Sequence, residues 1–351
     1  MGISFNEISK IFADGTVALD KLDLEFEKGE FVVLLGPSGS GKTTACRILA
    51  GLEDATSGSI KVDSRDITGL PPRQRNMSMV FQNYALYSHK NVFENIAYPL
   101  RVRKIATSDI NNQVKKIAEI LQIERLLSRR PSQLSGGQAQ RVAVARALVW
   151  NPDICLMDEP LSNLDALLRL HTRTELKRLH DDLGHTFVFV THDQEEAMTL
   201  GTRIAVLNEG KLIQFDIPRR IYHEPITRFV AEFIGRPAMN IIEGEVASGI
   251  FQADKFKFPV KGQPDGPVAM GIRPEQIVFR EGPTDKTVSF ELDIMELVEP
   301  DTLLFVYKGN TSIVVRVMRD VGNLSRGSEV HLELPNEFLH FFEINDGRRR
   351  L

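Results

Sequence analysis

Residues 31–44 read Phe-Val-Val-Leu-Leu-Gly-Pro-Ser-Gly-Ser-Gly-Lys-Thr-Thr, and this stretch constrains the fold more than any other. The apolar run Phe31 to Leu35 predicts a strand buried on both faces, as in a parallel sheet covered by helices. Gly36, Gly41, Lys42 and Thr43 then match G-x-x-x-x-G-K-[ST] at every fixed position, with Pro37, Ser38, Gly39 and Ser40 between them. Glycines let the backbone wrap closely around phosphate oxygens with its N–H groups turned inward. The helix that follows presents free N–H groups and its positive dipole end to the anion. In such a loop Lys42 reaches the β/γ-phosphates and the Thr43 hydroxyl is a Mg²⁺ ligand. A Gly-Ser turn joining a strand to a helix is the bland alternative. The strand before the loop and the helix-compatible stretch from Thr44 to Gly51 favour a nucleotide site.

A length of 351 residues suggests two domains, and 42% hydrophobic with 26% charged residues is ordinary for a soluble globular protein. A net charge of −4 gives no global attraction to nucleic acid or anionic lipid. Cys46 and Cys155 fall in an expected helix and an expected strand without metal-ligand spacing, so both read as reduced core residues of a cytosolic protein. No apolar run approaches the about 18–20 residues of a membrane span, and no signal peptide opens the chain. Work at a membrane would therefore be that of a peripheral subunit.

Ile3, Phe5 and Ile8, then Leu22, Leu24 and Phe26, alternate with polar residues and predict antiparallel strands. Between them Phe12 could stack on adenine, although an isolated phenylalanine more often serves a core. Gly58–Asp63 and Met77–Phe81 read as short strands, the second running into Gln82. A glutamine at a strand's carboxyl end stands where an open α/β sheet gathers ligand groups, and alone it would pass for a solvated loop residue. The pattern is helical from Val92 to Leu127, with Asp109 expected as a cap and Ile110, Val114, Ile117 and Leu121 on one face. Leu134-Ser135-Gly136-Gly137-Gln138 precedes a strong helix and is a second potential anion-binding nest.

Ile154–Asp158 is an apolar strand ending in two acids, Asp158 and Glu159. Beside a nucleotide the first can hold Mg²⁺ and the second can orient water; without one they are a charged strand end. Ser162-Asn163-Leu164-Asp165 follows, then an amphipathic helix to about Leu183. Phe187–Val190 is a buried strand ending at Thr191-His192-Asp193, where a lone histidine would ordinarily cap a helix. Beyond Gly235-Arg236-Pro237 short β-rich runs take over: 268–272, 277–279, 288–298, 303–307, 313–317 and 330–334. Small β-barrels of the OB type are built from such strands. Arg348-Arg349-Arg350 is expected to be a solvated tail.

Together these residues resemble the ATPase subunit of ATP-binding cassette (ABC) transporters over residues 1–235. In that family's terms Gly36–Thr43 is the Walker A loop, Gln82 the Q-loop glutamine and Leu134–Gln138 the signature. Ile154–Asp158 is then Walker B, followed by Glu159, with Ser162–Asp165 as the D-loop and His192 as the switch histidine. Tyr84–Tyr87, Phe93–Ile96, Asp158–Leu168, His192–Met198, Phe233–Asn240 and Gly271–Glu275 are similar to the maltose-type carbohydrate importers. The resemblance departs at Phe12, usually tyrosine in the adenine-stacking position, and at Ser88-His89-Lys90, usually Pro-His-Met, which borders the surface that receives the membrane subunits' coupling helices.

The resemblance implies an α/β P-loop nucleotide-binding domain, with a parallel core sheet and antiparallel β and helical subdomains, over residues 1–235. The helical subdomain would span about 83–150, and a β-rich OB-like regulatory domain would occupy 236–351. It implies ATP and Mg²⁺ as cofactors. Phe12, Gly36 to Thr44, Gln82, Ser135, Gly136, Gly137, Gln138 and Asp165 would bind ATP. Thr43, Gln82 and Asp158 would serve the metal, and Glu159, His192 and Gln82 would act in catalysis. The family's head-to-tail packing closes one chain's Walker A loop and the other's signature on one ATP, which implies a homodimer. Two transmembrane permease subunits, an extracytoplasmic solute-binding protein and a peripheral place on the cytoplasmic face of the plasma (inner) membrane complete the expectation. The solute would be a carbohydrate or a related molecule such as glycerol 3-phosphate; polyamine, sulfate or metal-ion import is the alternative. A soluble cassette acting on DNA or ribosomes fits less well. The stretch between Thr43 and Leu134 is too short for a long coiled coil, and the chain has one cassette. Nucleic acid is not an expected partner. An adapter that binds ATP without hydrolysing it is disfavoured by the presence of both Glu159 and His192.

Overall fold

In the computed structural model, which describes residues 2–318, 321–322 and 324–350, a hairpin of β1 (Gly2–Ile11) and β2 (Val17–Glu27) leads to β3 (Phe31–Leu35) and helix α1 (Lys42–Ala50). Strands β4 (Ser57–Val62), β5 (Arg65–Asp66) and β6 (Met77–Val80) follow, then helices α2 (Val92–Val102), α3 (Thr107–Ile120) and α4 (Gly136–Leu148). Next come β7 (Ile154–Asp158), α5 (Ala166–Leu183), β8 (Thr186–Thr191), α6 (Gln194–Leu200), β9 (Arg203–Asn208) and β10 (Lys211–Asp216). The chain divides into two compact units, Met1–Arg219 and Arg220–Leu351. The sequence expectation put the boundary at 235/236.

In the first unit a six-stranded sheet has the order β10-β9-β3-β8-β7-β6, parallel except for the β9–β10 pair. Every residue of β3, β7 and β8 is buried, which is why these strands read as unbroken apolar runs. Because β3, β8, β7 and β6 run parallel, the segments after Leu35, Thr191, Asp158 and Val80 all leave one edge of the sheet. That shared edge is what gathers the site. A four-stranded antiparallel sheet, β2-β1-β4-β5, shares a core with α1 and one face of the large sheet.

Helix α2 is capped by Asn91, whose side chain accepts the Glu94 N–H at 2.8 Å. Helix α3 departs from expectation at its start. It begins at Thr107 with Ala106 in the capping position, and Asp109 lies in the first turn instead. A carboxylate there still faces the helix's positive end. Ile110, Val114 and Ile117 are buried as the periodicity predicts.

Helix α7 (Pro218–His223) straddles the division, and α8 (Arg228–Phe233) opens the second unit's body. Strands β11 (Asn240–Ala247), β12 (Ile250–Ala253), β13 (Phe256–Pro259) and β14 (Gly266–Ile272) come next. They are followed by β15 (Val278–Arg280), β16 (Thr287–Val298), β17 (Asp301–Lys308), β18 (Thr311–Val317), β19 (Glu329–Glu333) and β20 (His340–Phe342). They form two five-stranded antiparallel sheets, β13-β12-β11-β14-β20 and β15-β19-β16-β17-β18, over one apolar core that includes Phe251, Phe256, Phe258 and Phe290. The unit is the β-rich OB-type domain expected, with β11, β12, β13 and β20 added to the runs seen in the sequence. The terminal arginines are not a solvated tail. Arg350 donates to Glu343 at 2.6 Å and to Pro267 O at 2.7 Å, and Arg348 and Arg349 make β-bridges to Thr227 and Phe342.

Candidate functional site

The loop after β3 is shaped by what its glycines allow. A Cβ at Gly36 would lie 2.2 Å from Leu207 O. Gly41 precedes α1 at φ 96°, where a Cβ would also meet Ala18 O at 2.4 Å. Lys42 turns its ammonium back into the loop and donates to Gly36 O at 2.9 Å, Pro37 O at 2.7 Å and Ser40 Oγ at 3.3 Å. Burial holds this amine below its usual range, while the carboxylates of Glu159 and Asp158 pull it back up. Gly39 sits at φ 80°, and Thr44 continues into the first turn of α1.

At the end of β7 Asp158 is buried, and its Oδ1 accepts the Thr43 hydroxyl at 2.9 Å. Burial raises the Asp158 pKa; the Thr43 hydrogen bond and the Arg47 and Lys42 charges oppose the shift. Glu159, the next residue, has φ 46° and donates its N–H to Val190 O on β8 at 3.1 Å. Its Oε1 stands 3.3 Å from Nδ1 of His192, whose side chain is 60% exposed and so open to a ligand arriving from solvent. Gln82 donates from Nε2 to Ser162 Oγ at 3.3 Å, and Ser162 Oγ donates to Glu159 O at 2.9 Å. Asn163 Nδ2 donates to Gln82 O at 3.0 Å. Lys42, Thr43, Asp158, Glu159, His192 and Gln82 are thus one connected cluster. Its members come from separate strand ends.

Ser135 and its neighbours form a second set. Ser135 caps α4: its Oγ accepts the Gln138 N–H at 3.4 Å, and Gln138 Oε1 accepts the Ser135 N–H at 3.2 Å. Ser135 and Gly136 are exposed, while a Cβ on Gly137 would stand 2.7 Å from Leu168 Cδ1. Asp165 caps α5 and accepts the Leu168 N–H at 2.9 Å. These hydrogen bonds run within the set and do not join it to the Lys42 cluster. Phe12 is 39% exposed in the β1–β2 turn, with the Lys10 ammonium 5.1 Å from its ring centroid.

Ser162 was expected only as part of a D-loop, yet it is the junction between Gln82 and Glu159. Arg169 carries no motif in the sequence. It donates to Leu164 O at 3.1 Å, and its guanidinium lies 3.6 Å from Asp193 and 3.8 Å from Glu196. Its place one turn after Asp165 was the available signal. Glu196 is buried, which raises its pKa against the lowering effect of the Thr191 hydroxyl at 2.5 Å.

The family model described as ABC transporter matches residues 19–162, and the one described as MalK OB fold domain matches residues 235–277. The chain is 42% identical to the sn-glycerol-3-phosphate import ATP-binding protein UgpC of Yersinia enterocolitica, over 99% of this chain and 98% of that one. It is 40% identical to UgpC of Salmonella typhi, covering 99% of both chains. Identity reaches 45% with the osmoprotective compounds uptake ATP-binding protein GgtA of Synechocystis, over 91% of this chain and 88% of that one. The structure of the ATP-binding cassette MJ0796, dimeric and bound to ADP and Pi, is 32% identical with a TM-score of 0.55, covering 62% of this chain and 99% of that one. The cbiO1 structure from Clostridium perfringens is 27% identical with a TM-score of 0.59, covering 63% and 90%. A phosphate loop bonded to a strand-end aspartate, its neighbouring glutamate and histidine, and relatives matched along nearly their whole length agree: this chain belongs to the ABC transporter family, as an ATP-hydrolysing import subunit with a MalK-type OB domain.

Proposed function

We propose that this chain is the peripheral ATPase of an importer for sn-glycerol 3-phosphate or a related carbohydrate, at the cytoplasmic face of the plasma (inner) membrane. The observation that carries the solute class is full-length similarity to UgpC proteins at 40–42% identity. Among the described residues no helix is long and apolar enough to cross a membrane. Two copies of the chain form the working homodimer and drive two transmembrane permease subunits, which an extracytoplasmic solute-binding protein supplies. The dimer is supported by the exposed Leu167 and Leu170 beside Asp165, and by the outward-facing Ser135 and Gly136.

In each composite site Phe12 stacks on adenine, and the amides of Gly36 to Thr44 with Lys42 hold the phosphates. Ser135, Gly136, Gly137 and Gln138 of the second copy bind the γ-phosphate, with Asp165 bordering it. Mg²⁺ fits the donor set. The Asp158 carboxylate and Thr43 hydroxyl are hard oxygen ligands already 2.9 Å apart, and Gln82 adds an amide oxygen, directly or through water. Bound there, the ion would neutralise phosphate charge. Glu159 accepts a proton from the attacking water, and His192 stabilises charge on the γ-phosphate.

Uptake in a strain deleted for this chain, complemented by wild type or Glu159→Gln, tests the reading. The panel is glycerol 3-phosphate, maltose, trehalose, spermidine and sulfate. Glycerol 3-phosphate or sugar uptake restored by wild type alone is the expected result, with Glu159→Gln about 10²–10³-fold slower in hydrolysis yet still binding ATP. Restoration of only spermidine or sulfate uptake overturns the solute class. Hydrolysis by Glu159→Gln within a few-fold of wild type removes Glu159 as the base. The identity to GgtA favours a second reading, uptake of an osmoprotective compound, for which compatible solutes join the panel.

A further inference from the structure

The segment after Gln82 is held in a costly shape. Tyr84 and Ala85 are consecutive non-glycine residues in the left-handed region, at φ 60° and φ 46°. The Tyr84 hydroxyl is buried without a hydrogen-bond partner. The N–H groups are satisfied locally, Tyr84 to Phe81 O at 2.9 Å and Ala85 to Asn83 O at 2.7 Å. Both carbonyls go to one side chain. Arg146, in the last turn of α4, donates from Nη2 to Tyr84 O and from Nη1 to Ala85 O, each at 2.7 Å. Its guanidinium lies 5.6 Å from the Tyr87 ring and has no carboxylate partner among the described residues. A half-buried, planar cation without a carboxylate partner is an expensive way to finish a helix, whereas a rigid fork is the right device for gripping two successive carbonyls. Beyond the turn, buried Asn95 fixes the chain again by accepting the Tyr87 N–H at 2.8 Å and donating to Asn91 O at 2.9 Å. The strained pair is therefore the adjustable piece between Gln82 and a fixed anchor.

We propose that Arg146 is a positioning residue for hydrolysis: it clamps the Tyr84–Ala85 turn and so sets where Gln82 stands relative to Thr43 and Asp158. The clamp springs from the same helix that Ser135 caps. A shift of α4 at its signature end is thereby transmitted to the Q-loop of the same chain. This rests on the role proposed above for Gln82.

The test is a set of full-length variants, Arg146→Lys, Gln82→Ala, Ala85→Gly and the pairs of Arg146→Lys with each, read by ATPase kcat, KM for ATP and half-saturating Mg²⁺. Lysine keeps the charge and loses the fork. Arg146→Lys is expected to lower kcat about tenfold and to raise half-saturating Mg²⁺ several-fold, with KM for ATP within twofold. In the Gln82→Ala background it adds less than a further twofold. Glycine tolerates the left-handed conformation, so Ala85→Gly should restore at least threefold of the lost kcat, which a residue that merely packs α4 would not permit. Multiplying losses in the double variant, or absent rescue, overturns the proposal. If Gln82→Ala slows turnover and Arg146→Lys does not, the clamp alone is wrong. Normal turnover and Mg²⁺ dependence in Gln82→Ala remove the role of Gln82, and the clamp with it. Should Arg146→Lys fail to fold, Arg146→Gln, which keeps one amide donor, is read by the same criteria; failure of both assigns Arg146 to stability and overturns the clamp.

Discussion

At the residue scale, Asp158 shows how much of this site's design is electrostatic. Its carboxylate is buried against Thr43, and burial moves its pKa above the ordinary value of 3.8. The sign follows from linkage. Over the interval above 3.8 the native chain keeps a proton that the unfolded chain has released, so stability falls as pH rises through that interval. At neutral pH the ionised carboxylate is a cost to the folded chain, which a cation bound with ATP would offset. Asp158→Asn keeps an acceptor for the Thr43 hydroxyl and removes the charge. Melting of the nucleotide-free chain should show a higher Tm for Asp158→Asn than for wild type at pH 7, with the gap closing as pH falls toward 4, while its ATPase activity is lost. A lower Tm at pH 7 would contradict the assigned cost. The candidate residues of this cluster were legible in the sequence because each follows an apolar run at a strand end. The bonds of Ser162 and Arg169 were not, because they reach across segments whose approach only the folded sheet defines.

At the element scale, the phosphate loop works because two backbones come nearer than side chains allow. Gly41 needs both a left-handed φ and open space, since a Cβ there would press on Ala18 O of β2 and on the Leu19 side chain 2.7 Å away. Gly41→Ala should therefore destabilise the chain by about 2–4 kcal/mol, a sum of backbone strain and overpacking, and displace the start of α1 so that ATP binding weakens together with Tm. Urea unfolding and nucleotide titration check the two effects. Unchanged stability with weakened binding would mean that the glycine serves the ligand alone. The unbroken apolar runs of β3, β7 and β8 make these strands legible from sequence, because burial on both faces leaves that mark. Strands β12 and β13 are less so. Each is a four-residue piece whose alternation, Phe251, Ala253, Phe256 and Phe258 inward, is too short to separate from loop without its pairing partner. The start of α3 differs for a related reason: Asp109 is a good cap by type, but Thr107 and Ser108 enter the helix before it.

At the scale of the whole molecule, the composition shift after Gly235 and the division of the folded chain after Arg219 mark different things. Sequence character changes where strands replace helices. The compact unit begins earlier because residues 220–235 supply acceptors to a buried cation inside it. Arg273 is 1% exposed and donates to Tyr222 O at 2.9 Å, to Ala231 O at 3.1 Å and to Ile234 O, with its guanidinium 4.2 Å from the Tyr222 ring centroid. A fragment that starts at residue 236 loses all three acceptors and the ring, and leaves a guanidinium in the interior without partners. Breaking such a buried polar site costs about 3–5 kcal/mol, a large share of a small domain's stability. Residues 220–351 should consequently unfold in a single cooperative transition when expressed alone, whereas 236–351 should melt far lower or fail to show near-native order. Arg273→Met, of similar length and without charge, should recover part of the difference in the shorter fragment and reduce the stability of the longer one. Equal, cooperative melting of both fragments would show that the helices at 220–235 belong to the first unit's stability and that Arg273 finds other partners. The expected inequality would place the working boundary of the OB-type domain ahead of α8.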